Sequence, residues 1–259
     1  MTYEAGLRRA ATDLKISVLF STRLPFARSF AVTGADIARA SWALPLAGAL
    51  IGLLGAIAYW LAHAVGLPPL PAGALALATT LVATGCLHED GLADTADGFG
   101  GGTTRERKLE IMRDSRIGAF GAVGLILFLM LEIVALAELV PPARGSALFA
   151  APVMSRATPA VLAALFRAAR PDGHGAAFQA GVRPAAIAIG LVIAVAASIF
   201  ALGGLGVAAG AVGLVAAVGL AFFLAGRLDG VTGDVLGAAV EISELAVLLT
   251  VSAWTYPRV

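Results

Sequence analysis

The sequence predicts an all-α, polytopic membrane helix bundle of about seven transmembrane helices, and three observations carry that prediction. Hydrophobic residues make up 59% of the 259 residues and charged residues only 14%, with a mean hydropathy of +0.90. A soluble domain is nearer a quarter charged. Apolar stretches of roughly 20 residues, the length of one crossing, recur along the chain. Basic residues gather in alternate connections between those stretches, the pattern that orients a membrane protein.

Taken in order, the chain begins with a segment that mixes Lys15, Arg23 and Arg28 with Leu, Ile, Val and Phe. Around 13–30 it reads as an amphipathic helix on the membrane surface, interrupted at Pro25. It is not expected to act as a cleavable signal, because the apolar run Leu14 to Phe20 is short and no small-residue cleavage site follows. The spans then fall near 40–66, 70–87, 117–140, 145–168, 184–202, 205–226 and 237–255. The second is short and leads directly into an acidic motif. Gly206 and Gly210 form a small-xxx-small pair in the sixth, which suits close helix packing. One membrane-embedded domain accounts for 1–259, with an amphipathic segment over 1–38, the acidic motif over 88–116 and a second acidic turn over 227–244.

The basic residues set the orientation. Arg8, Arg9, Lys15, Arg23, Arg28 and Arg39 precede the first span. Arg105, Arg107, Lys108, Arg113 and Arg116 lie between the second and third, Arg167, Arg170 and Arg183 after the fourth, and Arg227 after the sixth. Fifteen of the 18 basic residues thus share one side, which should be the cytoplasm. The net charge of +1 gives no pointer to nucleic acid. The single cysteine, Cys86, excludes an internal disulfide and is expected to pack as a small apolar side chain.

The acidic motif runs from His88 to Gly98. Asp90, Asp94 and Asp97 stand at i, i+4 and i+7, so a helix projects all three from one face. Three like charges beside a span repel and are costly to desolvate. A divalent cation offsets that cost, and hard carboxylate ligands suit Mg2+ or Mn2+ that also holds a substrate phosphate. A solvated acidic helix start is the plainer alternative. His88 borders the stripe as a base or an orienting group. Gly98 to Gly102 resembles a phosphate loop only loosely, lacking its lysine.

A second constellation follows the sixth span, in Thr232-Gly233-Asp234 with Glu241 and Glu244 one helical face further on. These acids are expected on the cytoplasmic side, converging with Asp90, Asp94 and Asp97 on one metal site. Arg113, Ser115 and Arg116 enter the third span as candidate phosphate ligands. Arg105, Arg107 and Lys108 are explained by anchoring alone. Arg156 falls inside the fourth span and needs an acid or a substrate phosphate; Glu132 is its most obvious partner.

The chain resembles the cobalamin synthase family of adenosylcobinamide-GDP ribazoletransferases. The resemblance rests on Thr22-Arg23-Leu24-Pro25, on His88 through Gly98, on Met112 through Gly121 and on Thr232 through Ala238, in the family's order. An apolar residue often stands in the family where this chain has Glu89, so Glu89 is left out of the site. The resemblance implies an Mg2+-dependent condensation of adenosylcobinamide-GDP with α-ribazole, or its 5′-phosphate, releasing GMP. For that reaction, the residues singled out above by charge and spacing place Asp90, Asp94, Asp97, Asp234, Glu241 and Glu244 around the metal, and Arg113, Arg116, Arg156, Ser115, Thr232 and Gly233 against substrate. Asp97 and His88 are then the candidates for proton transfer. The setting implied is the plasma (inner) membrane of a prokaryote, with the site facing the cytoplasm; a homo-oligomer stays open.

Two other readings compete. A CDP-alcohol phosphotransferase also uses a membrane-embedded aspartate cluster, but its motif carries an arginine and a spacing that Asp90 to Asp94 lack. An ion-coupled transporter would need acids at the midplane of broken spans, whereas these acids are expected at one face.

Overall fold

A computed structural model describes residues 3–25 and 32–256. The stretch 26–31 of the expected surface segment, Arg28 included, lies outside the described residues. All regular structure among the described residues is helical, apart from one isolated parallel bridge between Ala168 and Val231. Among the described residues, six helical stretches are long and apolar enough to cross a membrane, and one bent pair, if it counts as a span, raises the number to seven. The predicted fold class holds.

Helix α1 spans Tyr3–Ser21 and starts well before the expected amphipathic segment. It is tied to the bundle by Asp13, which is buried and accepts from Arg39 Nε at 3.0 Å and from Trp42 Nε1 at 3.2 Å. Arg39 ends α2 (Gly34–Ala40), whose first turn closes a capping box between Thr33 and Asp36. A 3-10 turn, Ser41–Ala43, leads into α3 (Leu44–Ala64), the first long span.

Helix α4 (Pro69–Thr84) and α5 (Leu87–Gly101) meet at 92°. Two consecutive left-handed residues make the corner, Gly85 at φ 66° and Cys86 at φ 59°. A side chain at Gly85 would strike the Arg23 guanidinium stem, so this turn needs glycine on both counts. Cys86 is exposed and not packed as expected; the corner turns its side chain away from the core.

After the short α6 (Arg105–Ile111) come α7 (Ala119–Glu138), α8 (Pro141–Ser155) and α9 (Thr158–Leu165). The predicted fourth span is therefore two helices. Pro152 and Pro159 each lack an N–H, and the chain breaks between them at Arg156-Ala157. Helix α10 (Gly173–Gly181) precedes the last three spans, α11 (Pro184–Leu202), α12 (Gly204–Leu228) and α13 (Gly233–Thr255). The glycines of α12 serve packing, as predicted: Gly206 lies against Ser198 of α11 and Gly210 against Met154 of α8.

The apolar core has two parts, and α13 crosses both. Val235, Leu236 and Ala239 belong to one, and Val247, Leu248 and Val251 to the other. Glu241 and Glu244 lie between them. Large apolar side chains such as Phe200, Val215, Phe222 and Trp254 face outward, as a lipid-exposed surface requires.

Candidate active site

The site forms where α5 crosses the start of α13. Gly91 makes this crossing close, since a β-carbon there would stand 2.7 Å from the Asp234 carbonyl oxygen. Gly237 completes the contact, 3.4 Å by the same measure from the His88 carbonyl. Asp90 and Asp234, far apart in sequence, thereby line one cavity of about 240 Å³ together with His88, Phe20, Phe178 and Leu236. Asp94, one turn along α5, lies in the combined field of Asp90, Asp234 and Asp97, with Arg170 as counter-charge. Two of the three predicted stripe members thus meet the second turn.

Thr232 caps α13 by accepting from Val235 N at 3.2 Å, and its hydroxyl donates to Asp234 Oδ2 at 3.2 Å. Arg170 Nη1 approaches the same Asp234 oxygen at 3.9 Å. Burial lowers Arg170 from the ordinary guanidinium value, and the Asp234 charge works against that shift. A second cavity of about 260 Å³ opens beside Asp234, lined by Arg170, Asp172, Gln179, Thr232 and Gly233. A third, of about 200 Å³, lies on the far side of Asp90 and holds Asp94, Glu89 and Ser115. Asp234 therefore borders the first two cavities and Asp90 the first and third, with Asp94 in the third.

Asp97 takes a different position from the one its spacing suggests. It is buried, and its two oxygens accept from Gly118 N at 2.7 Å and Gly121 N at 2.8 Å. Those amides open α7, so the carboxylate caps a span at the positive end of its dipole. Its lone pairs face α7 and away from the cavities shared by Asp90 and Asp234.

Glu241 and Glu244 are also separated from Asp234. They lie about 10 and 15 Å further along α13 at the usual helical rise. Glu244 forms a tight ion pair with Arg156 and accepts from Ser155 Oγ at 3.1 Å. Arg156 pairs with Glu244 in place of Glu132, which nonetheless lies in the same buried charge group with Glu89 and Glu241. His88 joins this layer too, with Nδ1 3.9 Å from Glu241 Oε1. The acids occupy two layers, one at the end of the bundle and one inside it.

Of the predicted phosphate ligands, Arg113 binds Asp172 at 3.2 Å and so reaches the rim of the second cavity. Arg116 turns outward and forks onto Asp114, the shortest contact being 2.6 Å. That guanidinium holds the Asp114 carboxyl down to about 2. Arg105 serves structure, donating to Leu228 O at 2.8 Å and Ala169 O at 2.7 Å. Arg170, Asp172 and Gln179 escaped the sequence reading because they lie in a loop and short helix without a motif. The only signal was an arginine among others that anchoring already explained.

Among the described residues, no group of three or more His, Cys, Asp or Glu side chains is gathered closely enough to cage a metal ion. The donor chemistry nevertheless fits Mg2+. That ion usually takes one or two carboxylates and completes its shell with water and substrate phosphate. Asp90, Asp94 and Asp234 repel one another, with Arg170 as a counter-charge.

A family model described as cobalamin-5-phosphate synthase matches residues 13–252. Proteins named adenosylcobinamide-GDP ribazoletransferase are similar over nearly the whole chain. That of Bradyrhizobium diazoefficiens is 45% identical over 255 residues, covering 97% of each chain. That of Mesorhizobium japonicum is 45% identical over 246 residues, 95% of this chain and 94% of the relative. That of Ralstonia nicotianae is 40% identical over 261 residues, 97% and 98% respectively. No solved structure matches the chain. With the family model covering both acidic constellations and every span between them, the chain belongs to the cobalamin-5-phosphate synthase family.

Proposed function

We propose that the chain joins adenosylcobinamide-GDP to α-ribazole, or its 5′-phosphate, with release of GMP. The observation that carries this reading is that Asp90, Asp94 and Asp234 between them border three neighbouring cavities. A transfer between two large substrates needs separate berths on either side of one charged centre, and the relatives' shared name supplies the two substrates.

The apolar cavity with Phe20, Phe178 and Leu236 suits the aromatic base of the ribazole. His88, lining that cavity beside Asp90, accepts the proton of the attacking 3′-hydroxyl. The hydroxyl oxygen bonds to the cobinamide-side phosphorus, the pyrophosphate P–O bond breaks, and GMP carries away the bonding electrons. Arg170, at the rim of the second cavity, holds phosphate oxygens of the departing nucleotide. Mg2+ (or Mn2+), taken by one or two of the Asp90, Asp94 and Asp234 carboxylates, would neutralise charge developing on those oxygens. Asp97 keeps α5 and α7 in place and touches no substrate.

The alternate basic loops favour a cytoplasmic site in a prokaryotic inner membrane. Cysteine labelling in a Cys86→Gly background checks this: positions near 172 and 230 should react from the cytoplasmic side and positions near 66 and 203 from the other. The activity itself is tested with purified protein, both substrates and Mg2+. GMP and a joined corrinoid product should appear together, and neither should form when α-ribazole is omitted. Transfer from a CDP-alcohol, with none from adenosylcobinamide-GDP, would overturn the reading.

A further inference from the structure

One cavity of the bundle is remote from this chemistry. It has a volume of about 500 Å³ and is lined by Tyr59, Trp60 and His63 of α3 and by Arg144 and Ser146 of α8. Leu44, at the other end of α3, lines the Asp90 cavity, which puts Trp60 about 24 Å away along the helix. The cavity therefore opens at the opposite membrane face.

Its charge is unbalanced. Arg144 is buried at 9% exposure, and among the described residues it has no carboxylate within ion-pair distance. One guanidinium nitrogen donates to Ala137 O at 3.0 Å, while Nε is buried without a partner. The guanidinium carbon stands 5.9 Å from the Tyr59 ring centroid, and the Tyr59 hydroxyl, also buried, has no partner either. Arg144 further sits in the first turn of α8, where the helix dipole is already positive and a cation is disfavoured. It is the one basic residue in the connections of this face, at 65–71, 139–144 and 202–204, against the usual distribution. Buried, unpaired cationic and hydroxyl donors around an apolar cavity call for an anion with an apolar body.

We propose that this cavity binds one anionic phospholipid. Its phosphate is held by Arg144 and the Tyr59 hydroxyl, with Ser146 and His63 at the rim. Trp60, 67% exposed, packs on the acyl region, as aromatic residues do at a membrane interface. The site is independent of the transferase reaction.

The test uses the full chain in detergent, delipidated and titrated with phosphatidylglycerol, phosphatidylcholine or inorganic phosphate. Phosphatidylglycerol should raise Tm by roughly 5 °C in the native protein, since it binds the folded state alone. Phosphatidylcholine and inorganic phosphate should each give less than half that shift. Arg144→Gln should abolish the difference between the two lipids. If that variant fails to fold, Tyr59→Phe, which removes one donor and no charge, should weaken phosphatidylglycerol retention several-fold in native mass spectrometry. Equal stabilisation by both lipids, an equal shift from inorganic phosphate, or undiminished retention in Tyr59→Phe would overturn the proposal.

Discussion

Gly91 of α5 lies against the backbone of Asp234 of α13, so closely that a β-carbon would come within 2.7 Å of the Asp234 carbonyl oxygen. The two acidic constellations meet because the residue after Asp90 has no side chain. Gly91→Ala should push the helices apart, at about 1–3 kcal/mol by the usual cost of overpacking. Turnover, measured as GMP release, should fall more than about tenfold, because Asp90 leaves Asp234. A Gly91→Ala protein with native Tm and native turnover would show that the crossing tolerates separation.

Asp97 and Asp94 share a helical stripe but should respond oppositely to the same change. Asp97→Asn replaces one accepting oxygen by a donor facing an amide, and leaving a buried donor unpaired costs about 1–3 kcal/mol. Its Tm should drop by several degrees. Asp94→Asn removes a charge that Asp90, Asp97 and Asp234 repel, so its Tm should hold or rise while activity is lost. Thermal unfolding of the two variants side by side separates the roles. A stable, inactive Asp97→Asn would return Asp97 to the catalytic group.

The buried layer predicts a compensation. Arg156→Leu leaves Glu244 buried without its partner, a change that typically costs about 3–5 kcal/mol. Adding Glu244→Leu should recover part of that loss, because the two residues form one pair. Unfolding midpoints of the two single variants and the double variant measure the coupling. Strict additivity would mean that Arg156 is held mainly by Glu89, Glu132 and Glu241.

The spans were legible because crossing a membrane imposes a length and a composition that local packing does not alter. The aspartate stripe was legible as a helix face, but not the partner of each member. Asp97 repeats the orientation of Asp90 closely, yet α7 begins beside it, and only Gly118 and Gly121 in the sequence hinted at room for a carboxylate there. Glu241 and Glu244 face the bundle interior, as an acid inside a span must, but their separation from Asp234 was not legible. A turn or two of helix separates one layer of acids from the next, and hydropathy blurs that distance. The break at Arg156 was written in Pro152 and Pro159, two residues that lack backbone donors. Arg170 had no such mark, being one arginine among several on the basic side.

The most direct test of the account is the Mg2+ dependence of GMP release in native protein and in Asp90→Asn, Asp94→Asn and Asp234→Asn. If one cation joins α5 to α13, chelation should abolish native activity and Mg2+ should restore it. Each variant should then lose at least about a hundredfold in turnover, consistent with losing a main electrostatic contribution, while remaining folded. Full GMP release after chelation, or near-native turnover in Asp234→Asn, would contradict a metal site shared by the two constellations.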